Sequence, residues 1–205
     1  MIGDRSLPPP VFGLVLVGGR SERMKKDKAV LEYDGKSQSA RAYDLLAEHC
    51  ENVFLSSRAD QADLPGYVEF PQILDCCGKI GPTGGILSAQ RTCPGAAWLV
   101  LACDLPFLDR KTLAHLILNR NPEKIATAFI SMYDSLPEPL CTIWEPASEN
   151  VLRESIEKDV LCPRKALINA QSRVELLAPL SPHALDNINT PDEFRKASKQ
   201  PPSEE

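Results

Sequence analysis

The chain has 205 residues, of which 43% are hydrophobic and 25% are charged, and its formal net charge is −5. This composition is ordinary for a globular protein with one buried core, and the acidic balance argues against a surface that coats nucleic acid. No apolar run approaches the roughly 20 residues of a membrane-spanning helix. Seven scattered cysteines and an N-terminus without the apolar core of a secretory signal predict a cytoplasmic protein with free thiols and no membrane partner.

The first third of the chain predicts a strand, a loop, a helix and a second strand. Residues 11–17, VFGLVLV, are continuously apolar, as in strands that are covered on both faces, and the pair Gly18 and Gly19 ends the run. A helical stripe of apolar residues covers 39–50, and 53–55 form a second short apolar run. This order of elements is a βαβ unit.

The middle of the chain predicts two more strands separated by a long loop. Residues 68–74 predict a short strand that Pro71 interrupts, and residues 75–85 predict a loop whose GPTGG segment opens a helix. Residues 96–102, AAWLVLA, predict a strongly buried strand. That strand delivers Asp104 at its carboxyl end.

The remaining elements complete an α/β pattern. They begin with a helix capped by Asp109, a strand over 125–130, and a turn bracketed by Pro137 and Pro139 before an apolar run at 140–144. Helices over 148–158 and 164–170 and a strand over 174–177 follow. The order predicts an open doubly wound α/β fold with a mostly parallel sheet. We expect one domain over residues 11–198, with residues 1–10 and 199–205 as flexible tails.

Three loops of unusual composition follow predicted strands and should meet at one edge of the sheet, where ligands of this fold class bind. They are residues 18–28, 75–85 and 103–104. In the first, the glycines let backbone N–H groups approach a phosphate, Arg23 can fork two phosphate oxygens, and Lys28 can act as a point charge. A solvated basic turn is the alternative for this loop.

Two other features each have two interpretations at this stage. Asp104 suits Mg²⁺, which prefers hard oxygen ligands and the company of phosphate, but it is also compatible with a turn or a helix cap. The adjacent pair Cys76 and Cys77 is compatible with a redox or metal feature or with a plain loop.

Four motifs in sequence order resemble those of a known family. LVGGRSERMKKDK resembles the pattern L-x-G-G-x-x-x-R-M-x-x-x-K of small-molecule nucleotidyltransferases, and the chain most resembles the molybdenum cofactor guanylyltransferases among them. GPTGGI resembles the family's G-P-x-x-G loop, LACDLPFL its C-D-x-P-hydrophobic motif, and NINTPDEF its N-x-N-T-P close. The resemblance implies a sheet with a Rossmann-like nucleotide-binding half, of the nucleotide-diphospho-sugar transferase-like type.

The resemblance also implies roles for individual residues. The catalytic residues that it implies are Arg23, Lys28 and Asp104, with Asp104 as the ligand of Mg²⁺. The nucleotide-binding residues that it implies are Leu16, Gly18, Gly19, Lys28, Ser56, Asp75 and Asp104. The acceptor-binding residues that it implies are Gly81, Gly85, Arg164, Asn187 and Asn189.

Asp75 matches the family's acid that recognises guanine, because a carboxylate can accept hydrogen bonds from the N1–H and the exocyclic amine of that base. The chain departs from the family at two positions. Ser56 stands where many members have Asn, and Lys25 stands where many have Gly.

The reaction implied is the transfer of GMP from GTP to the phosphate of molybdopterin, with release of pyrophosphate. An anionic phosphate is already a nucleophile, so no general base is expected, and other proteins of molybdenum cofactor synthesis are the expected partners. Two alternatives stay open at this stage. One is a related transferase that uses CTP, or a sugar or polyol phosphate as acceptor, and the other is a non-catalytic nucleotide-binding module.

Overall fold

The computed structural model describes residues 7–17, 32–33 and 36–187, and the structural statements below concern those residues. The strands are β1 (Val11–Leu16), β2 (Glu32–Tyr33), β3 (Lys36–Ser37), β4 (Val53–Ser57), β5 (Gln72–Leu74), β6 (Ala97–Ala102), β7 (Ala126–Ile130), β8 (Pro137–Trp144) and β9 (Val174–Leu177). The helices are α1 (Gln38–Ala47), α2 (Pro82–Thr92), α3 (Arg110–Leu118), α4 (Ser148–Glu157) and α5 (Pro163–Asn169), and a short 3₁₀ helix covers Gln171–Arg173. None of the helices in this part of the chain is long and apolar enough to cross a membrane.

Seven strands form one sheet in the order β5-β4-β1-β6-β8-β7-β9, and β2 and β3 form a separate antiparallel pair. Strands β5, β4, β1 and β6 are parallel neighbours, and β7 is parallel to β9. Strand β8 runs antiparallel to both of its neighbours, β6 and β7. The prediction of a mostly parallel, doubly wound sheet is therefore confirmed.

Helices cover the sheet on both faces, and each face has its own apolar cluster. Leu14, Trp98 and Trp144 belong to the cluster that includes residues of α2, α4 and α5. Val15 and Leu99 belong to the opposite cluster, which includes residues of α1 and α3. Successive residues of a strand point to opposite faces, so these buried strands read as continuous apolar runs.

Strand β6 is the most deeply buried element, since all six of its residues are buried. Trp98 of β6 pairs with Trp144 of β8, and both side chains are fully buried, as their apolar runs predict. The ring of Trp98 also contacts Phe12 edge to face, at a centroid distance of 5.6 Å. Aromatic pairs in this geometry add to the stability that burial alone provides.

Two expectations about element boundaries were wrong. The loop expected over residues 75–85 ends at Gly81, because α2 begins at Pro82 and includes Gly84 and Gly85. The expected turn bracketed by Pro137 and Pro139 is the start of β8. The pairs between β6 and β8 extend only from Trp98–Trp144 to Leu101–Cys141, so both prolines lie past the end of β6 and close to an irregularity in the β7–β8 pairing, where strands tolerate proline.

A buried ion pair joins the end of α3 to the end of β8. Arg120 donates through Nε to Oε1 of Glu145 at 2.6 Å and through Nη2 to Oε2 at 2.8 Å. The two side chains are 11% and 1% exposed. Arg120 also donates through Nη1 to the carbonyl oxygen of Pro9 at 2.8 Å, so this pair ties the segment before β1 to the core.

Candidate functional site

A pocket of about 640 Å³ opens at the carboxyl ends of β1, β4 and β5, beside the first turn of α2. Its lining residues are Leu16, Ser56, Ser57, Arg58, Asp60, Asp75, Gly78, Lys79, Gly81, Pro82 and Gly85. The strand order reverses at β1, whose neighbours β4 and β6 lie on opposite sides. A pocket at this switch in strand order is where α/β sheets bind their ligands, and its volume suits a small organic molecule.

Asp75 is fixed in the pocket wall directly after β5. Its Oδ1 accepts a hydrogen bond from the backbone N–H of Cys77 at 2.9 Å and a longer one from the Ser88 hydroxyl at 3.4 Å. The carboxylate lies against Gly84, where a Cβ would come within 2.7 Å of Oδ2. A glycine at position 84 therefore allows the carboxylate to approach the helix backbone, and the N-terminal end of a helix favours a negative group.

Ser56 and Leu16 close the adjoining part of the wall against Gly85. A Cβ at Gly85 would lie 2.8 Å from Cδ2 of Leu16 and would clash with the hydroxyl oxygen of Ser56. Gly85 thus lets α2 pack directly on the ends of β1 and β4. The GPTGG segment supplies this packing surface from within the helix.

The turn into α2 is shaped by Gly81 and Pro82. Gly81 has a φ of +66°, a conformation that residues with a side chain rarely adopt, and Pro82 occupies the first helical position. Pro82 has no backbone N–H, and the N–H of Gly84 donates to the carbonyl oxygen of Gly81 at 3.0 Å. Lys79 and Arg58 add two positive side chains to the same wall, and Asp60 accepts from Arg58 Nε at 2.9 Å.

A second cavity of about 50 Å³ lies beyond the end of β6. Its lining includes Asp104, Asn187 and Glu138, together with Ala102, Leu105, Leu140, Cys141 and Leu185. Carboxylate and amide oxygens are hard donors of the type that Mg²⁺ prefers. The described part of the chain contains no group of three or more His, Cys, Asp or Glu side chains arranged to hold a metal. Because Mg²⁺ keeps several waters and takes substrate phosphates as ligands, one or two carboxylates suffice, and Asp104 with Asn187 fits this ion.

Arg164 is hydrogen-bonded to Glu138, one of the residues that line this second cavity. Its Nε donates to the carbonyl oxygen of Pro137 at 2.9 Å, and its Nη2 donates to Asp134 at 2.9 Å and to Glu138 at 3.2 Å. Burial raises the pKa of Glu138, and the guanidinium of Arg164 opposes that shift. The hydrogen bond from the backbone N–H of Leu136 is the main cause that lowers the pKa of Asp134.

The structure groups the predicted site residues into two neighbouring sets. Leu16, Ser56, Asp75, Gly81 and Gly85 line the large pocket, so residues predicted for the nucleotide and for the acceptor share one wall. Asp104 and Asn187 share the small cavity, whereas Arg164 lines neither of these two cavities. Gly18, Gly19, Arg23, Lys28 and Asn189 lie outside the described residues, as does Lys25.

The residues of these cavities that were not predicted from the sequence include Arg58, Lys79 and Glu138. Arg58 follows β4 directly, so the rule that ligands bind at the carboxyl ends of strands could have found it. Lys79 is the basic residue of the loop before α2, and its charge was a usable signal. Glu138 belongs to a segment that was expected to be a turn, and no local pattern connects it to Asp104.

A doubly wound sheet with a pocket of this kind at the switch in strand order defines an α/β nucleotide-binding protein. Within that class, the chain belongs to the family of the MobA-like NTP transferase domain, whose model matches residues 13–174. It is therefore a nucleotidyltransferase, as its motifs indicate, and the expected resemblance to the molybdenum cofactor guanylyltransferases is confirmed by its relatives.

The sequence is similar to two curated relatives. It is 35% identical over 185 residues to the "Molybdenum cofactor biosynthesis bifunctional protein" of Synechocystis sp., with 90% of this chain and 53% of that protein covered, so the chain spans about half of that relative. It is 31% identical over 206 residues to the "Molybdenum cofactor guanylyltransferase" of Rhizobium meliloti, with 94% of this chain and 91% of that protein covered.

The fold is similar to that of a solved structure, "Molybdopterin-guanine dinucleotide biosynthesis protein A" from Archaeoglobus fulgidus. The TM-score is 0.76 at 22% sequence identity, and the similarity covers 92% of this chain and 97% of that one. This match confirms the expected fold class, a mostly parallel sheet of the nucleotide-diphospho-sugar transferase-like type.

Proposed function

We propose that this protein transfers GMP from GTP to the terminal phosphate of molybdopterin and releases pyrophosphate. The observation that carries the proposal is the position of Asp75, whose carboxylate is fixed in the wall of the large pocket by the N–H of Cys77. A carboxylate is a hydrogen-bond acceptor only, so it complements the N1–H and amino donors of guanine and offers nothing comparable to cytosine. The name of the Rhizobium meliloti relative, a molybdenum cofactor guanylyltransferase, agrees with this choice of nucleotide.

The two cavities are proposed to have different roles, with substrate binding in the large pocket and metal binding in the small one. In the large pocket, Asp75 reads the base, and the wall formed by Leu16, Ser56 and Gly85 limits where the nucleotide can lie. Lys79 and the positive end of the α2 dipole attract the anionic phosphates. Gly81 and Gly85 line the same pocket, so the acceptor phosphate is proposed to enter beside the nucleotide and to attack the α-phosphorus in line.

Asp104 and Asn187 are proposed to hold Mg²⁺ in the small cavity. When bound, the ion would offset negative charge on the pyrophosphate as it leaves. Arg23 and Lys28, which lie outside the described residues, are proposed to stabilise the same charge. Asn189 and Arg164 are proposed to contact the acceptor, although Arg164 is held by Asp134 and Glu138 in the structure.

The choice of base is tested by replacing Asp75. Pyrophosphate release is measured with molybdopterin, Mg²⁺ and either GTP or CTP, for the wild type and for Asp75→Asn. The control variant is Asp63→Asn, which changes an exposed carboxylate in the loop before β5. We expect Asp75→Asn to lower kcat/KM for GTP about 100-fold, since it loses hydrogen bonds to a charged acceptor, and the control to match the wild type. Full GTP preference in Asp75→Asn would refute the assignment of the base.

The metal site is tested through binding as well as turnover. Calorimetric titration with GTP is carried out with and without Mg²⁺ on the wild type and on Asp104→Asn. The wild type should bind GTP more tightly when Mg²⁺ is present, and Asp104→Asn should lose that difference together with turnover, by a factor on the order of 100. An undiminished effect of Mg²⁺ on Asp104→Asn would place the ion elsewhere. Absence of turnover by the wild type with GTP and with CTP would instead favour a non-catalytic module.

A further inference from the structure

Two adjacent thiols lie in the chain between Asp75 and Gly78, both of which line the large pocket. Cys76 is exposed and Cys77 is half-buried, and their sulfur atoms are 3.9 Å apart. The guanidinium of Arg91, at the end of α2, places Nη1 3.9 Å from the sulfur of Cys76 and 3.8 Å from that of Cys77. The Ser88 hydroxyl lies 3.4 Å from the sulfur of Cys76. Two thiols, one cation and one hydroxyl therefore form a compact cluster that the proposed transfer reaction does not use.

This environment differs from that of the other cysteines. The hydrogen bond with the Ser88 hydroxyl is the main cause that lowers the pKa of Cys76; burial opposes this shift, and the Cys77 thiol and the charge of Arg91 lower the pKa further. Burial raises the pKa of Cys50 to about 12 and also raises that of Cys141, so both thiols remain protonated and inert. Reactive cysteines are accessible, lie beside cations and have a second thiol within reach, as Cys76 does.

We propose that Cys76 and Cys77 form a peroxide-reactive dithiol whose oxidation releases Asp75 from its position in the pocket wall. The thiolate of Cys76 attacks one oxygen of hydrogen peroxide, the O–O bond breaks, and Cys76 becomes a sulfenic acid while hydroxide leaves and takes up a proton. The sulfur of Cys77 then attacks the sulfur of Cys76 and expels the second oxygen as water. The dithiol loses two protons and two electrons, and the peroxide is reduced to two molecules of water.

The consequence for Asp75 follows from the backbone that connects the groups. The N–H of Cys77 is the donor that fixes Oδ1 of Asp75 at 2.9 Å, and the N–H of Cys76 donates to Ser88 Oγ at 2.9 Å. Adjacent Cα atoms are about 3.8 Å apart, closer than the usual Cα separation across a disulfide, so bridging these residues must turn the peptide between them. That rotation moves the N–H of Cys77 away from the carboxylate. Strain of this kind also makes the bond easy to reduce, so the oxidation is reversible.

The chemical step is tested by mass spectrometry on the full chain. Trypsin cleaves after Arg58 and Lys79, so residues 59–79 form one peptide that contains Cys76 and Cys77 and no other cysteine. After a brief exposure to low hydrogen peroxide and alkylation of the remaining thiols, we expect this peptide to lose two hydrogen atoms. Its oxidation should be about tenfold faster than that of the exposed Cys162, which serves as the internal reference. Oxidation of Cys162 with Cys76 and Cys77 still reduced would overturn the proposal.

Three variants test the roles of the members of the cluster. Cys77→Ser should stop at the sulfenic acid of Cys76, which dimedone traps, whereas Cys76→Ser should lower the reactivity of the peptide to that of Cys162. Arg91→Gln should slow the reaction about threefold, and less so at high salt, because the charge acts close to the surface. Wild-type reactivity in Cys76→Ser would assign the attack to another thiol and contradict the proposed order of steps.

The effect on the pocket rests on the proposed function, because it is measured with GTP and Mg²⁺ by calorimetry. The oxidised wild type should bind GTP about tenfold more weakly than the reduced protein, and dithiothreitol should restore the affinity. Cys162→Ser should behave as the wild type does, and Cys77→Ser should keep its affinity under conditions that bridge the wild-type thiols. Unchanged affinity after complete disulfide formation would refute the coupling to Asp75. If the reduced protein failed to bind GTP, the proposed function would fail, and the mass measurement would still decide the thiol chemistry.

Discussion

The carboxylate of Asp75 occupies the space that a side chain at Gly84 would need. A Cβ built at Gly84 lies 2.7 Å from Oδ2 and 2.9 Å from Oδ1 of Asp75, closer than real Cβ contacts. The carboxylate has little freedom to move aside, because the N–H of Cys77 holds Oδ1. The position of the acid in the pocket therefore depends on the absence of a side chain in the first turn of α2.

Replacing Gly84 by Ala should displace Asp75 and weaken GTP binding about tenfold, which corresponds to the loss of one hydrogen bond to a charged group. The helix itself should tolerate the change, since Ala is favoured over Gly in a helix interior by about 1 kcal/mol. Titration calorimetry with GTP measures the affinity, and circular dichroism checks the helix content. Gly95→Ala is the control, because a Cβ at that position meets no atom within 4 Å. Equal affinities of the two variants would contradict the dependence of Asp75 on Gly84.

Removal of Arg120 should destabilise the protein strongly. Arg120→Met leaves Glu145, which is 1% exposed, as a buried carboxylate without its bidentate partner, and the expected loss is about 3–5 kcal/mol in the free energy of unfolding. Denaturant titration measures the loss. Arg153→Ala, which removes an exposed arginine 3.5 Å from Glu149, should cost no more than about 0.5 kcal/mol. Adding Glu145→Gln to Arg120→Met should recover part of the stability, and a failure to do so would mean that the packing of Arg120 matters more than its charge.

The stability conferred by Glu138 should depend on pH in a defined direction. Burial raises the pKa of Glu138 in the folded protein, so its contribution is fully present below the ordinary Glu pKa of about 4.3 and is lost as the pH rises through the raised value. Compared with Glu138→Gln, the wild type should therefore lose relative stability between acid and neutral pH. Denaturant midpoints at several pH values provide the test, with Glu154→Gln on the exposed face of α4 as the control. A rise in the relative stability of the wild type with pH would show that the Arg164 ion pair outweighs burial.

The carboxylate of Asp109 caps α3 and should contribute about 1 kcal/mol to the free energy of unfolding. It accepts a hydrogen bond from the N–H of Thr112 at 2.8 Å, as the sequence predicts. Asp109→Ala should lower the free energy of unfolding by about this amount, whereas Asp109→Ser, which keeps an acceptor, should lose only a few tenths. Turnover should not change in either variant, because Asp109 lines neither of the two cavities. Equal losses in the two variants would mean that the cap contributes through packing instead.

The sequence predicts the central strands and the first βαβ unit well, because strands that are buried on both faces consist almost entirely of apolar residues. Strand β6 has six buried residues, and the chain there reads as an unbroken apolar run. The loops that contain Asp75 and Asp104 were expected at one edge for a related reason, since each follows a strand and the carboxyl ends of parallel strands meet there, whereas the role of Asp75 rested on the family resemblance. Their placement at two separate cavities depends on packing that neither motif encodes.

The GPTGG segment opens α2 as predicted, but the inclusion of Gly84 and Gly85 in the helix and the start of β8 were not predicted, for different physical reasons. Gly84 and Gly85 have low helix propensity, but contacts with Asp75 and Ser56 leave no space for larger residues, so tertiary packing overrides propensity. Pro137 and Pro139 indicate a turn locally, and only the short overlap with β6 lets them continue a strand. The link between Arg164 and Glu138 spans 26 positions of the chain and has no local signal at all.

The reversed direction of β8 brings the beginning of that strand, where Glu138 lies, to the same edge of the sheet as the end of β6, where Asp104 follows. Strands β7 and β8 are consequently connected by a hairpin loop, residues 131–136, and not by a helical crossover. Lengthening such a loop costs only about 0.6 kcal/mol for each doubling of its length. For protein engineering, this loop is the natural insertion point, because it directly precedes the strand that carries Glu138 to the cavity of Asp104 and lies several strands away from β5, which leads into Asp75.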